Sequence, residues 1–205
     1  MNGRTLSPCL MASSCALLLV WAVFAPEDDA RAGVGHASAA HAIHVTAMNY
    51  TVPEIKLVRD DGKEVSLPAE LNDGRAVVLN FIFTTCGSIC PLSSQTFGEF
   101  QRRLGPETTK VHLVSISTDP EEDTPARLRE YAGKFRAGPG WQHYTGTVDA
   151  SITAQRAFDA YLGDKMSHAP VTWIRAPKAT TWRRIDGFVT PDQLLRQYRQ
   201  LLAQK

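Results

Sequence analysis

Two cysteines separated by three residues are the part of this chain best suited to chemistry. Cys86 and Cys90 lie in the stretch "FIFTTCGSICPLSSQTF", directly after an apolar run and directly before Pro91. Such a pair can serve as a thiol–disulfide couple, as part of a metal site or as a structural bridge. A structural bridge would close a very small loop and would therefore add little stability. Redox or metal chemistry is the favoured interpretation.

The spacing of the pair leaves those two chemistries open. Thiol–disulfide oxidoreductases usually have two residues between their cysteines. The wider gap here includes Gly87, so the loop can present both sulfurs to one ion and can still close into a disulfide. A third ligand is needed to decide between them.

The elements around the pair predict where the sulfurs lie. Residues 76–83 are almost continuously apolar, which is typical of a strand buried on both faces. Residues 91–104 have apolar side chains at helical spacing, and Pro91 favours a helix start near residues 89–91. Both sulfurs should then lie near a helix N-terminus, whose dipole favours thiolates. Because thiolates attack disulfides and also bind metals, this environment does not separate the two uses.

The rest of the pattern predicts an α/β fold with a central mixed sheet flanked by helices. Asp61-Gly62 is a turn dipeptide between two alternating runs, which indicates a hairpin. Further strands are predicted at residues 110–117, 142–146, 170–176 and 180–187, and further helices at residues 124–135, 151–161 and 191–202. In this arrangement the cysteines lie at the carboxyl edge of the sheet, where such folds bind ligands.

The N-terminus predicts export. Residues 1–32 have Arg4, an uncharged run over residues 9–25 and the small-x-small sequence Ala30-Arg31-Ala32, as a cleavable signal peptide does. The run is shorter than the roughly 20 residues of a spanning helix, so an uncleaved membrane anchor is the weaker alternative. Residues 33–49 are predicted to be a flexible leader, and residues 50–205 a single domain.

Charge argues against nucleic acid as a partner. Residues 1–32 hold two of the 22 basic and three of the 21 acidic residues, which leaves 20 against 18 and a net charge of +2. Nucleic-acid-binding domains usually show a strongly basic footprint. With cleavage, Cys86 and Cys90 would be the only cysteines, because Cys9 and Cys15 lie in the signal segment.

Three segments, in order, resemble the Sco (SenC) family of copper-binding, thioredoxin-like proteins. They are "NFIFTTCGSICP", "VSISTDPEEDTP" and "MSHAPVTWI", and the resemblance runs from about residue 50 to residue 202. It implies a thioredoxin-like fold and copper ligands at Cys86, Cys90 and His168. It also implies a periplasmic or membrane-anchored protein that helps to metallate cytochrome c oxidase. Some family members act as thiol–disulfide reductants, in which case Cys86 and Cys90 would be the redox pair.

The chemistry of these side chains agrees with the resemblance. Two thiolates and one imidazole are a soft set that suits Cu(I) and can hold Cu(II), whereas structural zinc normally takes four ligands. Ser167 stands where the family commonly has an acidic residue, and Pro170 follows where many members have none. These departures bear on metal affinity and on the choice of partner. Without the family pattern, His168 would be interpreted as a polar cap before a strand.

Three functions therefore remain open, and whether the chain is an enzyme depends on the choice among them. The first is a copper metallochaperone for an acceptor such as an oxidase subunit, and the second is a thiol–disulfide oxidoreductase that reduces the acceptor's cysteines with a reductant partner. The third is a copper or redox sensor. Contact with a membrane is expected only through an uncleaved N-terminal segment.

Other polar residues are assigned lesser roles. Histidines in the leader could scavenge copper, although a plain spacer is the favoured interpretation: His36, His41 and His44. His112 and His143 fall in strand patterns and are predicted to be structural or exposed. An acidic loop at the sheet edge of the cysteines could steer a basic partner or cap a helix: Asp119, Glu121, Glu122 and Asp123.

Overall fold

The computed structural model describes residues 42–203. The predicted signal peptide at residues 1–32 and the first part of the predicted leader, with His36 and His41, lie outside the described residues. Within residues 42–203, none of the helices has the length and apolar character that crossing a membrane requires.

A single mixed sheet of eight strands forms the centre of the domain, with the strand order β1-β8-β7-β4-β5-β6-β2-β3. The strands are β1 His44–Asn49, β2 Lys56–Arg59, β3 Glu64–Ser66, β4 Ala76–Ile82, β5 Val111–Ser117, β6 Trp141–Thr145, β7 Val171–Arg175 and β8 Thr181–Asp186. The β4–β5 and β5–β6 pairs are parallel, and the remaining pairs are antiparallel. The predicted mixed sheet is therefore confirmed.

In the described part of the chain, five helices flank the sheet: α1 Leu67–Leu71, α2 Ile89–Leu104, α3 Pro125–Lys134, α4 Val148–Ala157 and α5 Pro191–Ala203. Short 3₁₀ helices cover Gly105–Lys110 and Lys165–Ser167. The hydroxyl of Thr124 caps α3 by accepting the N–H of Arg127, and Pro125 occupies the first turn. Thr147 caps α4 in the same way, so this helix begins before the predicted residue 151; it also ends at Ala157, before the predicted residue 161.

The core lies on both faces of the sheet because β4 is buried along its whole length. Alternate side chains of a strand point to opposite faces. Val77, Leu79 and Phe81 accordingly join an apolar cluster with α4, whereas Ala76 and Val78 join a cluster with α2 and α5. Burial on two faces fixes β4, and hence the direction in which its carboxyl end leads to the cysteines.

The predicted flexible leader is wrong for residues 44–49. These residues form β1, which pairs with β8 so that His44 lies opposite Asp186 and Asn49 opposite Thr181. All six side chains of β1 are exposed or half-buried, so the segment has little apolar periodicity. Its order comes from backbone pairing with β8, which is a tertiary contact. The described fold therefore includes residues 44–49, which precede the predicted domain start at residue 50.

Candidate metal centre

The loop between β4 and α2 carries Cys86 and is fastened to the neighbouring strand. The N–H of Thr84 donates to Asp123 at 3.1 Å, and its hydroxyl donates to the same carboxylate at 2.6 Å. The Ser117 hydroxyl at the end of β5 also donates to Asp123 at 2.6 Å. Asp123 is completely buried. This carboxylate therefore ties the cysteine loop to β5, a role that its position in a predicted acidic loop does not reveal.

The two thiols, both free, have different environments. Cys86 is half-buried in the loop, whereas Cys90 is fully buried in the first turn of α2. The backbone N–H of Cys90 points at the sulfur of Cys86, with an N–S distance of 3.4 Å. The pair is thus asymmetric in both exposure and hydrogen bonding.

The same environments move the two thiol pKa values in opposite directions. Partial burial raises the pKa of Cys86, but the backbone N–H groups of Cys90 and Ser88 outweigh it, so the net pKa lies below its ordinary value. Burial raises the pKa of Cys90 well above its usual range. Cys86 is therefore the more readily ionised of the two, as an attacking thiol should be.

The surroundings of Cys90 are apolar and aromatic. Its side chain belongs to a cluster with Ile82, Phe83, Leu128 and Tyr131. The Tyr131 hydroxyl, from α3, hydrogen-bonds the Ser94 hydroxyl of α2 at 2.9 Å. The Cys90 thiol is consequently part of the packing between the sheet, α2 and α3.

His168 reaches the same edge of the sheet from another element. Strand β7 runs antiparallel to β4, with Leu79 opposite Trp173. This register brings the segment before Val171 alongside the end of β4. The His168 ring meets the Phe83 ring edge-on, with their centroids 6.4 Å apart. Burial lowers the pKa of His168, which favours the neutral imidazole that binds metals.

The three predicted ligands, Cys86, Cys90 and His168, lie toward the same edge of the sheet, but they are not arranged around a single metal position. Across residues 42–203, no group of three or more histidine, cysteine, aspartate or glutamate side chains is arranged to hold a metal ion. In this conformation the His168 ring packs on Phe83 instead of completing a site with Cys86 and Cys90. A three-ligand site would require movement of at least one of the two segments.

Two further histidines, His112 and His143, and the acidic loop have structural contacts. His112 is buried, as one of the two predicted alternatives has it, and its ring lies 3.0 Å from both the carbonyl of Glu70 and the Tyr144 hydroxyl. His143 is fully buried beside the rings of two aromatic residues, Tyr131 and Trp141. Asp119 pairs with Lys165 at 2.5 Å, a contact between two loops that sequence spacing does not reveal.

A cleft of about 430 Å³ lies next to His168. Its walls come from the loop after β5, from α4 and from the segment that leads to β7, and the Asp119–Lys165 pair lies on it. His168 thus stands at an open edge of the domain, beside a depression that is lined by both polar and apolar residues.

The sequence is similar to those of known proteins. The profile of the SCO1/SenC family matches residues 44–203. The SCO1 protein homolog of Bacillus subtilis is 34% identical over 148 residues, which cover 68% of this chain and 76% of that protein.

Solved structures also match. Arabidopsis thaliana ScoI, solved with copper bound, has a TM-score of 0.63 and 25% identity, and the match covers 76% of this chain and all 100% of that one. BsSco, described as a member of the Sco family of cytochrome c oxidase assembly proteins with a disulfide switch, has a TM-score of 0.65 and 25% identity over 78% of this chain and 98% of that one. The thioredoxin-like fold is confirmed, and the chain belongs to the SCO1/SenC family.

Proposed function

We propose that this protein is a copper metallochaperone that binds copper through Cys86, Cys90 and His168 and delivers it to a copper site such as that of cytochrome c oxidase. One observation carries the proposal. Two thiols at the N-terminus of α2 and an imidazole before β7 lie toward the same edge of the sheet, although they belong to distant parts of the chain.

The chemistry of the ligand set supports copper as the cargo. Thiolate sulfur and imidazole nitrogen are the donors that Cu(I) accepts, and the same set can hold Cu(II). A set of three ligands leaves the ion open to ligands from an acceptor protein. An open site at the edge of the domain is therefore suited to transfer by ligand exchange.

The family adds support for this cargo and for the partner. Arabidopsis thaliana ScoI has been solved with copper bound, and BsSco is described as a cytochrome c oxidase assembly protein. We propose a copper acceptor such as an oxidase subunit as the partner. Because residues 1–32 have the pattern of a signal, we also propose an exported protein, periplasmic or anchored to face the periplasm. N-terminal sequencing of the native protein should find a start near Gly33, and an intact Met1 would indicate an anchor.

A second candidate function is thiol–disulfide exchange with the acceptor's cysteines. The asymmetry of the pair favours it, because an accessible thiol of lowered pKa beside a buried thiol is typical of an attacking and a resolving cysteine. The reductase activity would need no imidazole, so His168 separates the two functions. A copper or redox sensor would use the same three residues.

Copper affinity tests the proposal. The reduced full chain should bind one Cu(I) in competition with a chelator, and Cys86→Ser or Cys90→Ser should abolish binding. His168→Ala should weaken binding by at least about tenfold, because the remaining two thiolates lack the third donor. Thiol titration should show that this variant still forms the Cys86–Cys90 disulfide.

His44→Ala is the matched control, since His44 lies exposed in β1, and it should bind copper as the parent does. If His168→Ala binds copper as tightly as the parent, the metallochaperone proposal fails and the oxidoreductase takes its place.

A further inference from the structure

The segment that carries His168 is a compact turn. The Asp164 side chain accepts the N–H of Met166 at 2.9 Å, and the Asp164 carbonyl accepts the N–H of Ser167 at 3.0 Å. The N–H of His168 donates to the Lys165 carbonyl at 3.3 Å. Because these bonds lie within five consecutive residues, a displacement of Lys165 is transmitted to His168.

An ion pair fastens this turn to the domain. Lys165 Nζ lies 2.5 Å from Asp119 Oδ2, and the Asp119 side chain is only 5% exposed against 39% for Lys165. The anchor is rigid, because the N–H of Asp119 donates to the Ser117 hydroxyl at 2.9 Å and its carbonyl accepts the N–H of Asp123 at 2.8 Å. With one partner buried, this pair is less screened by water than a fully exposed one.

The flanks of the turn leave room for movement. Gly163 has a φ of +82°, and no atom lies within 4 Å of the place where a side chain would begin there. Leu162 and Met166 are 55% and 72% exposed. On the other side the chain is fixed again at Pro170, whose carbonyl accepts the N–H of Gly187 at 2.9 Å. The turn is therefore bounded by a glycine hinge and by the start of β7.

We propose that the Lys165–Asp119 ion pair is a latch that holds His168 apart from the two sulfurs, and that its opening lets the imidazole join Cys86 and Cys90 on copper. The inference rests on the proposed function. With the ion pair closed, the His168 ring packs on Phe83 and the three ligands form no site. Lys165 and Asp119 are positioning residues, because they act on copper only through His168.

The latch has a consequence for affinity. A conformation that must be opened before binding lowers the apparent affinity by the fraction of molecules that are open. Loss of the ion pair should raise this fraction, since the closed state loses its charged contact. Copper should then bind more tightly to a chain in which the latch cannot close.

The test is Cu(I) affinity of the reduced full chain, by chelator competition, for Lys165→Met beside its controls. Lys165→Met should bind about two- to fivefold more tightly than the parent, the range expected when an ion pair with one exposed partner is lost. Lys165→Arg keeps the charge and should resemble the parent. Lys56→Met removes the lysine of another ion pair, 2.6 Å from Glu64, in the β2–β3 hairpin, and it should leave the affinity unchanged.

The decisive comparison is made in a chain without the imidazole. Lys165→Met should change nothing when combined with His168→Ala, because the latch acts only through His168. Asp119→Asn is the second route to an open latch and should reproduce the tighter binding. Unchanged or weaker binding in both Lys165→Met and Asp119→Asn would overturn the latch, as would a gain that persists without His168. An unaltered affinity in His168→Ala alone would instead overturn the proposed function.

Discussion

The two segments that supply the candidate ligands are held in different ways. The cysteine loop is part of the core, since Cys90 is fully buried and Thr84 is bonded to the buried Asp123. The His168 turn is mostly exposed and is joined to the domain through Lys165 and the ring contact with Phe83. The fold thus places two candidate thiol ligands in a fixed loop and the third candidate donor on a segment that we propose to be movable. A protein that must take up an ion and release it again is well served by this division.

The difference between the cysteine loop and the His168 turn indicates which segment can be varied to adjust copper affinity. A change in the cysteine loop disturbs packing between the sheet, α2 and α3, because Cys90 contributes to that packing. A change in the exposed part of the His168 turn alters its ion pair with Asp119 and leaves the apolar core intact. Variation in the turn is therefore the less costly route to a different affinity.

The largest effect that we expect is a difference in reactivity between the two thiols of the cysteine loop. In the reduced full chain, Cys86 should react with iodoacetamide at least about a hundredfold faster than Cys90 near neutral pH, because only the thiolate attacks. The pKa of Cys86 is lowered, so its reaction should already be fast at pH values below the usual thiol range. The raised pKa of Cys90 keeps that thiol protonated over the same range.

Mass spectrometry of the alkylated peptides across a pH series measures both rates. The denatured chain is the control, because there the two thiols should react alike. Equal rates in the folded chain would show that the cysteine loop does not distinguish its two sulfurs.

A smaller effect is expected in the free energy of unfolding, to which the cysteine loop and the His168 turn should contribute differently. Cys90→Ser should lower the free energy of unfolding by about 1–3 kcal/mol, because it places a hydroxyl in an apolar, fully buried position. His168→Ala should lower it by less than about 1 kcal/mol, since the turn lies outside the core. Urea unfolding of the reduced, copper-free full chain measures both values.

Cys90→Ala serves as the control that removes the sulfur without adding a polar group, and it should cost less than Cys90→Ser. If His168→Ala were as destabilising as Cys90→Ser, the His168 turn would belong to the core. The proposed difference between this turn and the cysteine loop would then be wrong.

The position of the two cysteines could be predicted from sequence because it depends on local patterns. The apolar run of β4 and the proline near the start of α2 together fix where Cys86 and Cys90 fall. His168 is predicted as a ligand only because the sequence resembles the Sco family. No local pattern marks His168 as a ligand, since its neighbourhood with Phe83 arises from the antiparallel register of β4 and β7.

The features that sequence patterns did not predict depend on contacts between segments that lie far apart in the chain. Asp123 stands 39 residues from Thr84 along the chain, and Lys165 stands 46 residues from Asp119. Neither spacing corresponds to a helical or strand period. The same reason explains β1, whose order depends on pairing with the distant strand β8.

The most direct test of the central claim is X-ray absorption spectroscopy at the copper edge of the reduced full chain loaded with one Cu(I). We predict two sulfur donors and one imidazole nitrogen in the parent, and the loss of the nitrogen alone in His168→Ala. A parent spectrum with sulfur donors only, or an imidazole that persists in His168→Ala, would contradict the proposal that Cys86, Cys90 and His168 together hold the metal.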